Sequence, residues 1–321
     1  MIDAGKLNDS LQKAVRSKLP NGTNIANILS DILFIGKEAI YRRLRGEVAF
    51  SLHEAAMIAR KLNISLDSII QTASSDNPTY ELISQRFYNL RERDYDAYEE
   101  YLGVLKFASM EPYSEQVYTS NLFPLFPSNR NYLFSKYNSF RWMYLNMDLN
   151  SIKTFHDMEH PERQYELSKA IIDETMNIKN TLFIWDNTII ESIIKEIKYF
   201  RSIRLMNDED VNLFKSELHT YLDTLENIAS KGRFETGNKV QIFISNINTD
   251  TAYSYLETPN IHLSMIGAFT MNYMVSLDTE SLQRMKNRVH TLKRVSSLIS
   301  ESGEIQRIQF FKAQHELVDT L

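Results

Sequence analysis

Between residues 7 and 70 the apolar positions recur three and four apart, the spacing of short amphipathic helices. Leu7, Leu11 and Val15 mark a first helix, and Ile25, Ile28, Leu29, Ile32 and Leu33 a second. After a turn of about three residues, Lys37-Glu38-Ala39-Ile40-Tyr41-Arg42-Arg43-Leu44-Arg45-Gly46 predicts a third, short and basic. At about 100° per residue, Ile40 and Leu44 share the face that packs, while Glu38, Arg42 and Arg45 lie opposite and Tyr41 sits on the flank. Gly46 supplies the left-handed residue that commonly ends a helix. Ser51 with Glu54 forms a capping box for a fourth helix carrying Leu52, Ala55, Ala56, Ala59 and Leu62, and Ser65 caps a fifth.

Residues 72–79, with Ser74, Ser75, Asp76, Asn77 and Pro78, have the composition of a linker and put a boundary near residue 75. The expected organisation is a head over 1–75 and a larger regulatory or dimerisation domain over 76–321. In that body, 80–110 carries a helical stripe through Ile83, Phe87, Leu90, Tyr101 and Leu105, interrupted at Asp94. Residues 161–180, 187–200 and 208–230 also read as helices, as do 282–299 and 305–317. Between them, 240–244, 252–256 and 261–275 are rich in β-formers and predict strands. The expected fold class is therefore mainly α: a five-helix head, then a mostly helical domain with a small antiparallel β insert at about 239–276.

Charge divides the same way. Residues 1–72 carry 10 Lys and Arg against 7 Asp and Glu, leaving 26 against 34, so the head is +3 and the rest −8. A basic head on an acidic body favours contact with a polyanion through the head alone. The third helix has the size of an α-helix that enters the major groove, where arginines pair with guanine edges or neutralise phosphates; Arg42 and Arg45 are the leading candidates.

In order, these segments resemble the helix-turn-helix domain of the lambda repressor and Cro type, the xenobiotic-response-element family, over roughly the first seventy residues. Leu33, Phe34, Ile35 and Gly36 stand where that family's turn reads Leu-Gly-Ile-Ser, and Arg45-Gly46 stands where Asn-Gly often follows the recognition helix. Phe50-Ser51-Leu52 and Asn63-Ile64-Ser65-Leu66-Asp67 match the openings of its fourth and fifth helices. The resemblance implies base contacts from Lys37, Glu38, Ala39, Tyr41 and Arg42, and phosphate contacts near Thr23, Asn24 and Arg45. It departs at Phe34, which replaces the turn glycine and suggests a wider turn or another backbone geometry, and at Gly36, which removes the hydroxyl cap.

Other chemistry is weakly represented. Zero cysteines exclude disulfides and cysteine-ligated zinc fingers. His156 and His160 have the spacing of a helical ligand pair, but Pro161 follows at once and a surface pair is the preferred reading. Ser10 with Lys13 and Ser192 with Lys195 match Ser-x-x-Lys inside periodic helices without supporting motifs. No glycine-rich phosphate loop occurs, so an enzyme is not expected, and no cofactor. Aromatic residues crowd between Tyr80 and Tyr144, where they either fill a core or line a pocket for a small-molecule or peptide effector. Without an apolar leader or membrane-length run, the chain reads as cytoplasmic. The expected function is a sequence-specific transcriptional regulator that binds double-stranded DNA as a homodimer, the body dimerising or sensing a ligand. The alternative is a scaffold whose head docks another protein.

Overall fold

Each N-terminal helix begins or ends where the local chemistry directs. In the computed structural model, helices α1 (Ala4–Ser17), α2 (Ile25–Leu33), α3 (Lys37–Leu44), α4 (Leu52–Leu62) and α5 (Leu66–Gln71) follow one another through residues 1–79. The Asn24 side chain caps α2 by accepting from the Ala26 and Asn27 amides. Helix α3 ends in a Schellman turn: Gly46 at φ 76° donates to the Arg43 carbonyl at 3.0 Å, and Glu47 N–H to the Arg42 carbonyl at 2.9 Å. Leu11, Val15, Leu29, Ile40, Ile58 and Ile69 bury together as the core of this unit.

The structure describes residues 4–19, 23–62, 64–71, 80–248, 251–269 and 271–321, and the chain divides into two units, Met1–Thr79 and Tyr80–Leu321. The linker expected at 72–79 lies outside the described residues.

Phe34 does not widen the turn between α2 and α3. It takes the left-handed conformation itself, at φ 56° and ψ 36°, and donates its N–H to the Ser30 carbonyl, while Ser30 Oγ donates to the Ile35 carbonyl at 2.6 Å. Its ring is 86% exposed, so packing does not offset the cost of that backbone. Phe34→Gly is expected to stabilise the N-terminal unit by about 0.5–1 kcal/mol, read as slower amide exchange in α2 and α3. Unchanged or faster exchange would contradict the assignment of strain.

The second unit overturns the expectation of a mainly α body with a small antiparallel insert. Its elements are β1 (Glu81–Ile83), α6 (Glu92–Met110), β2 (Glu115–Ser120), α7 (Leu125–Ser128), α8 (Tyr132–Asn146), α9 (Glu162–Thr175), β3 (Asn180–Asp186), α10 (Glu191–Ser202), α11 (Asp208–Lys231), β4 (Lys239–Ser245), β5 (Tyr253–Glu257), β6 (His262–Ala268), β7 (Asn272–Ser276), α12 (Thr279–Arg294), β8 (Ser296–Leu298) and α13 (Glu304–Asp319). Among the described residues the strands form one eight-stranded mixed sheet in the order β1-β7-β6-β5-β2-β3-β4-β8. Strands β2, β3 and β4 run parallel in register, the other pairings are antiparallel, and helices connect the parallel strands, so the unit is α/β.

Of the strands missed in the sequence, β2 and β3 lie in the sheet's interior, while β8 occupies the end of the expected helix 282–299, which stops at Arg294. Leu182-Phe183-Ile184-Trp185 is buried on both faces, and such a run shows neither alternation nor helical period. Phe183, Trp185, Ile242 and Ile244 face a core built with α8, α10, α11 and α13. Val117, Ile184 and Phe243 face Leu282, Met285, Val289 and Leu292 of α12 on the other side. The stripe at 80–91 is not helical; residues 81–83 pair with β7 instead.

Candidate nucleic-acid interface

Helix α3 is held by Ile40, as its spacing predicted, and by Arg43, Asn8 and Gln12, which the sequence did not mark. Ile40 is fully buried, so the helix is anchored through one side. Arg43, the inward arginine, forms a two-point ion pair with Glu54 of α4, Nη2 to Oε1 at 2.7 Å and Nε to Oε2 at 3.2 Å, and donates from Nη1 to the Ala39 carbonyl. The Ser51 N–H donates to Glu54 Oε2 at 2.8 Å and the Glu54 N–H to Ser51 Oγ at 3.2 Å, completing the predicted capping box. Burial alone would raise the Glu54 carboxyl, but the bonds from Arg43 and the Ser51 amide outweigh it and hold it below its ordinary value. From α1, Asn8 Nδ2 and Gln12 Nε2 donate to the Arg43 carbonyl, while Asn8 Oδ1 accepts from the Phe50 amide.

The orientation leaves Lys37, Glu38, Tyr41, Arg42 and Arg45 exposed around the side of α3 away from Ile40, with Ala39 half-buried. Thr23 and Asn24 are exposed at the start of α2, where the Asn24 carbonyl is already engaged in capping. Gly36 is extended and gives α3 no side-chain cap, as its sequence implied. Eight residues make a rod of about 12 Å, comparable with the width of the B-DNA major groove.

Glu47, which sequence reasoning passed over, sits against both leading arginines. Arg45 Nε donates to its Oε1 at 2.6 Å, Arg42 Nε lies 3.4 Å from its Oε2, and Glu38 approaches Arg45 at 3.5 Å. The hydrogen bond from Arg45 pulls the Glu47 carboxyl below its ordinary value. All of these groups are about half exposed or more, so the pairs are exchangeable at little cost. A neighbouring acidic residue within two positions of a candidate arginine was the signal available in the sequence.

In the second unit, Arg284, Lys286 and Lys293 of the basic helix α12 are engaged within the unit. Arg284 pairs with Glu280 at 2.9 Å, Lys286 with Glu257 at 2.6 Å, and Lys293 lies over the Phe243 ring. His156 and His160 do not form a ligand pair: His156 is exposed, whereas His160 is buried with Nε2 2.9 Å from Ser135 Oγ and Nδ1 3.3 Å from Ser139 Oγ. Lys195 of the second Ser-x-x-Lys pairs with Glu191, and Ser192 Oγ accepts from the Phe123 amide, so those residues serve the fold.

The crowded aromatics are mainly core. Phe134, Tyr137 and Phe140 are buried and pack edge-on or tilted against Tyr221, Phe214 and Phe200. A cleft of about 580 Å³ opens beside them, rimmed by Arg130, Tyr132, Lys136, Phe155, His156 and Tyr165. Its size is within the range of small-molecule sites. Arg130 is engaged by Asp173 and Glu235.

Among the described residues no helix is long and apolar enough to cross a membrane. No family model, curated protein or solved structure matches this chain.

Proposed function

We propose that this protein is a sequence-specific DNA-binding transcriptional regulator whose N-terminal unit presents α3 to the major groove. The observation that carries the reading is the division of α3 into an inner side, fixed by Ile40 and the Arg43–Glu54 pair, and an outer side bearing Lys37, Tyr41, Arg42 and Arg45. A rigidly seated helix with exposed donors meets the requirement for direct base readout. The three-residue turn from α2 and the Asn24-capped start of α2 suit a helix-turn-helix, in which the first helix crosses the phosphate backbone. In this reading the second unit joins two copies, so that two half-sites about one helical turn apart are engaged, and the cleft beside Tyr132 and Lys136 receives an effector.

The test is fluorescence anisotropy of the full chain on random duplexes at two salt concentrations, where affinity is expected to fall steeply as salt rises. On a preferred sequence, Arg42→Ala or Arg45→Ala is expected to cost about 1–3 kcal/mol of binding, if that arginine makes a bidentate guanine contact, without altering protection of the α2–α4 amides. Equal affinity in both variants would remove the residue assignment.

Glu47 gives an opposite expectation. Glu47→Gln releases Arg42 and Arg45 and removes a carboxylate from a surface that meets phosphates, so affinity should rise. Weaker binding by this variant in the same assay would show that Glu47 orders the arginines for contact.

Exposure of Phe34 and of Leu52, at 86% and 79%, favours a second reading in which the same unit docks a protein partner. That reading predicts no salt-dependent DNA binding.

A further inference from the structure

The α11 and α13 helices lie antiparallel, and each carries a histidine followed four residues later by an aspartate: His219 with Asp223, and His315 with Asp319. The two rings meet across the helix pair nearly coplanar, with an 8° interplanar angle and Nδ1 atoms 2.7 Å apart. Each outer nitrogen faces the aspartate of the opposite helix. His219 Nε2 is 3.3 Å from Asp319 Oδ1, and His315 Nε2 is 3.4 Å from Asp223 Oδ1. Lys215 approaches the same Asp319 and donates to its backbone carbonyl at 2.9 Å.

The carboxylates determine the tautomers. Each favours a proton on the adjacent Nε2, which leaves both Nδ1 atoms as lone-pair donors aimed at each other. Two bare lone pairs at that distance repel, so the gap holds either a metal cation or a proton shared between the rings. A histidine that ligates a metal usually has a carboxylate beside its other ring nitrogen, and here both rings have one within 3.3–3.4 Å. We propose that His219 Nδ1 and His315 Nδ1 bind a divalent ion of the zinc class, with Asp319 and Asp223 as orienting groups.

Imidazole nitrogen selects zinc, cobalt, nickel or copper over magnesium or calcium. Tetrahedral coordination at about 2.0–2.1 Å separates two ligand nitrogens by about 3.3 Å, so the rings need to part by about 0.6 Å and to turn until both lone pairs converge on one point. Their side chains, 29% and 26% exposed, have room for that rotation and for solvent to exchange. No group of three or more His, Cys, Asp and Glu residues is arranged around one point among the described residues, so the protein fills two positions and water the others. Two protein ligands correspond to an exchangeable ion rather than to a permanent structural one, for which four are usual. The sequence signal was the repeated His-x-x-x-Asp spacing, whose halves are 96 residues apart.

The test uses the untagged full chain, titrated with Zn²⁺ by calorimetry and with Co²⁺ by visible absorption. One ion per chain is expected, with magnesium unable to compete. His219→Gln and His315→Gln should each weaken binding at least about tenfold, and Asp223→Asn with Asp319→Asn should weaken it by about tenfold. In the wild type, Zn²⁺ should shift the imidazole nitrogen signals of His219 and His315 and leave those of His53, His262 and His290 in place, a readout that needs no variant to fold. Absence of saturable Zn²⁺ and Co²⁺ binding by the wild type would overturn the proposal and leave a shared proton as the occupant of the gap. Binding that survives both histidine substitutions, or signals that move at other histidines instead, would overturn it equally.

Discussion

Ile40→Ala is expected to remove about 2–5 kcal/mol from the stability of the N-terminal unit, the range for truncating a fully buried aliphatic side chain. Ile40 is 0% exposed and packs in one core with Leu29 and Ile58, which are themselves buried, so truncation leaves a cavity in the interior. A unit of this size has a total stability of about 4–10 kcal/mol, so the loss takes a large share of it. Native-state hydrogen exchange distinguishes the units: protection should collapse in α2, α3 and α4 and persist in the sheet from β2 to β4. DNA binding should fall with it, for want of a fixed α3. Arg42→Ala should separate the two effects, with weak binding and full protection. A loss below about 1 kcal/mol for Ile40→Ala would mean that α3 is not anchored through this side.

Acid is expected to destabilise the second unit through His160. Burial, together with the nearby Lys136 charge, lowers this imidazole from 6.5 to about 4, and its ring nitrogens lie between the hydroxyls of Ser135 and Ser139. The sign follows from proton counts. Below about pH 6.5 the unfolded chain takes up a proton at this position while the folded chain does not, until about pH 4. Stability contributed by the neutral ring is thus complete above pH 6.5 and declines as pH falls, by about 2.5 kcal/mol at pH 4.5 and roughly 3 kcal/mol in full. Both tryptophans, Trp142 and Trp185, belong to this unit, so urea unfolding followed by their fluorescence reports it alone. His160→Gln should lose less stability than the wild type between pH 7 and pH 4.5, by that amount. Equal losses would mean that the ring is protonated in the folded protein at pH 4.5.

The N-terminal unit was legible because its signals are local. Gly46 at the end of α3, the Ser51–Glu54 box and the three-to-four spacing of Leu29, Ile32 and Leu33 each act within a few residues, and each has its counterpart in the structure. The turn was the exception, since Phe34 adopts a conformation usually reserved for glycine. What the sequence withheld there was long-range: the bond from Asn8 to the Arg43 carbonyl, and the division of labour between Arg43, turned inward, and Arg42 and Arg45, turned out. In the second unit the same limitation was costly. Strand β3 gains its identity only from pairing with β2 and β4, and α8 is apolar or buried almost all round, with Ser135, Asn138 and Ser139 inside, so no amphipathic stripe marks it. His219 and His315 likewise acquire a meaning only when α11 meets α13.

On the proposed function, sequence preference resides in the outer side of α3. Selection of bound duplexes from a random-sequence pool by the full chain, followed by sequencing, tests it most directly. The wild type should enrich a motif, with information lost at particular positions when Arg42→Ala or Arg45→Ala is used and the rest of the motif retained. Recovery of the same motif at the same strength from both variants, or no enrichment by a wild-type chain whose α3 amides are protected, would contradict it.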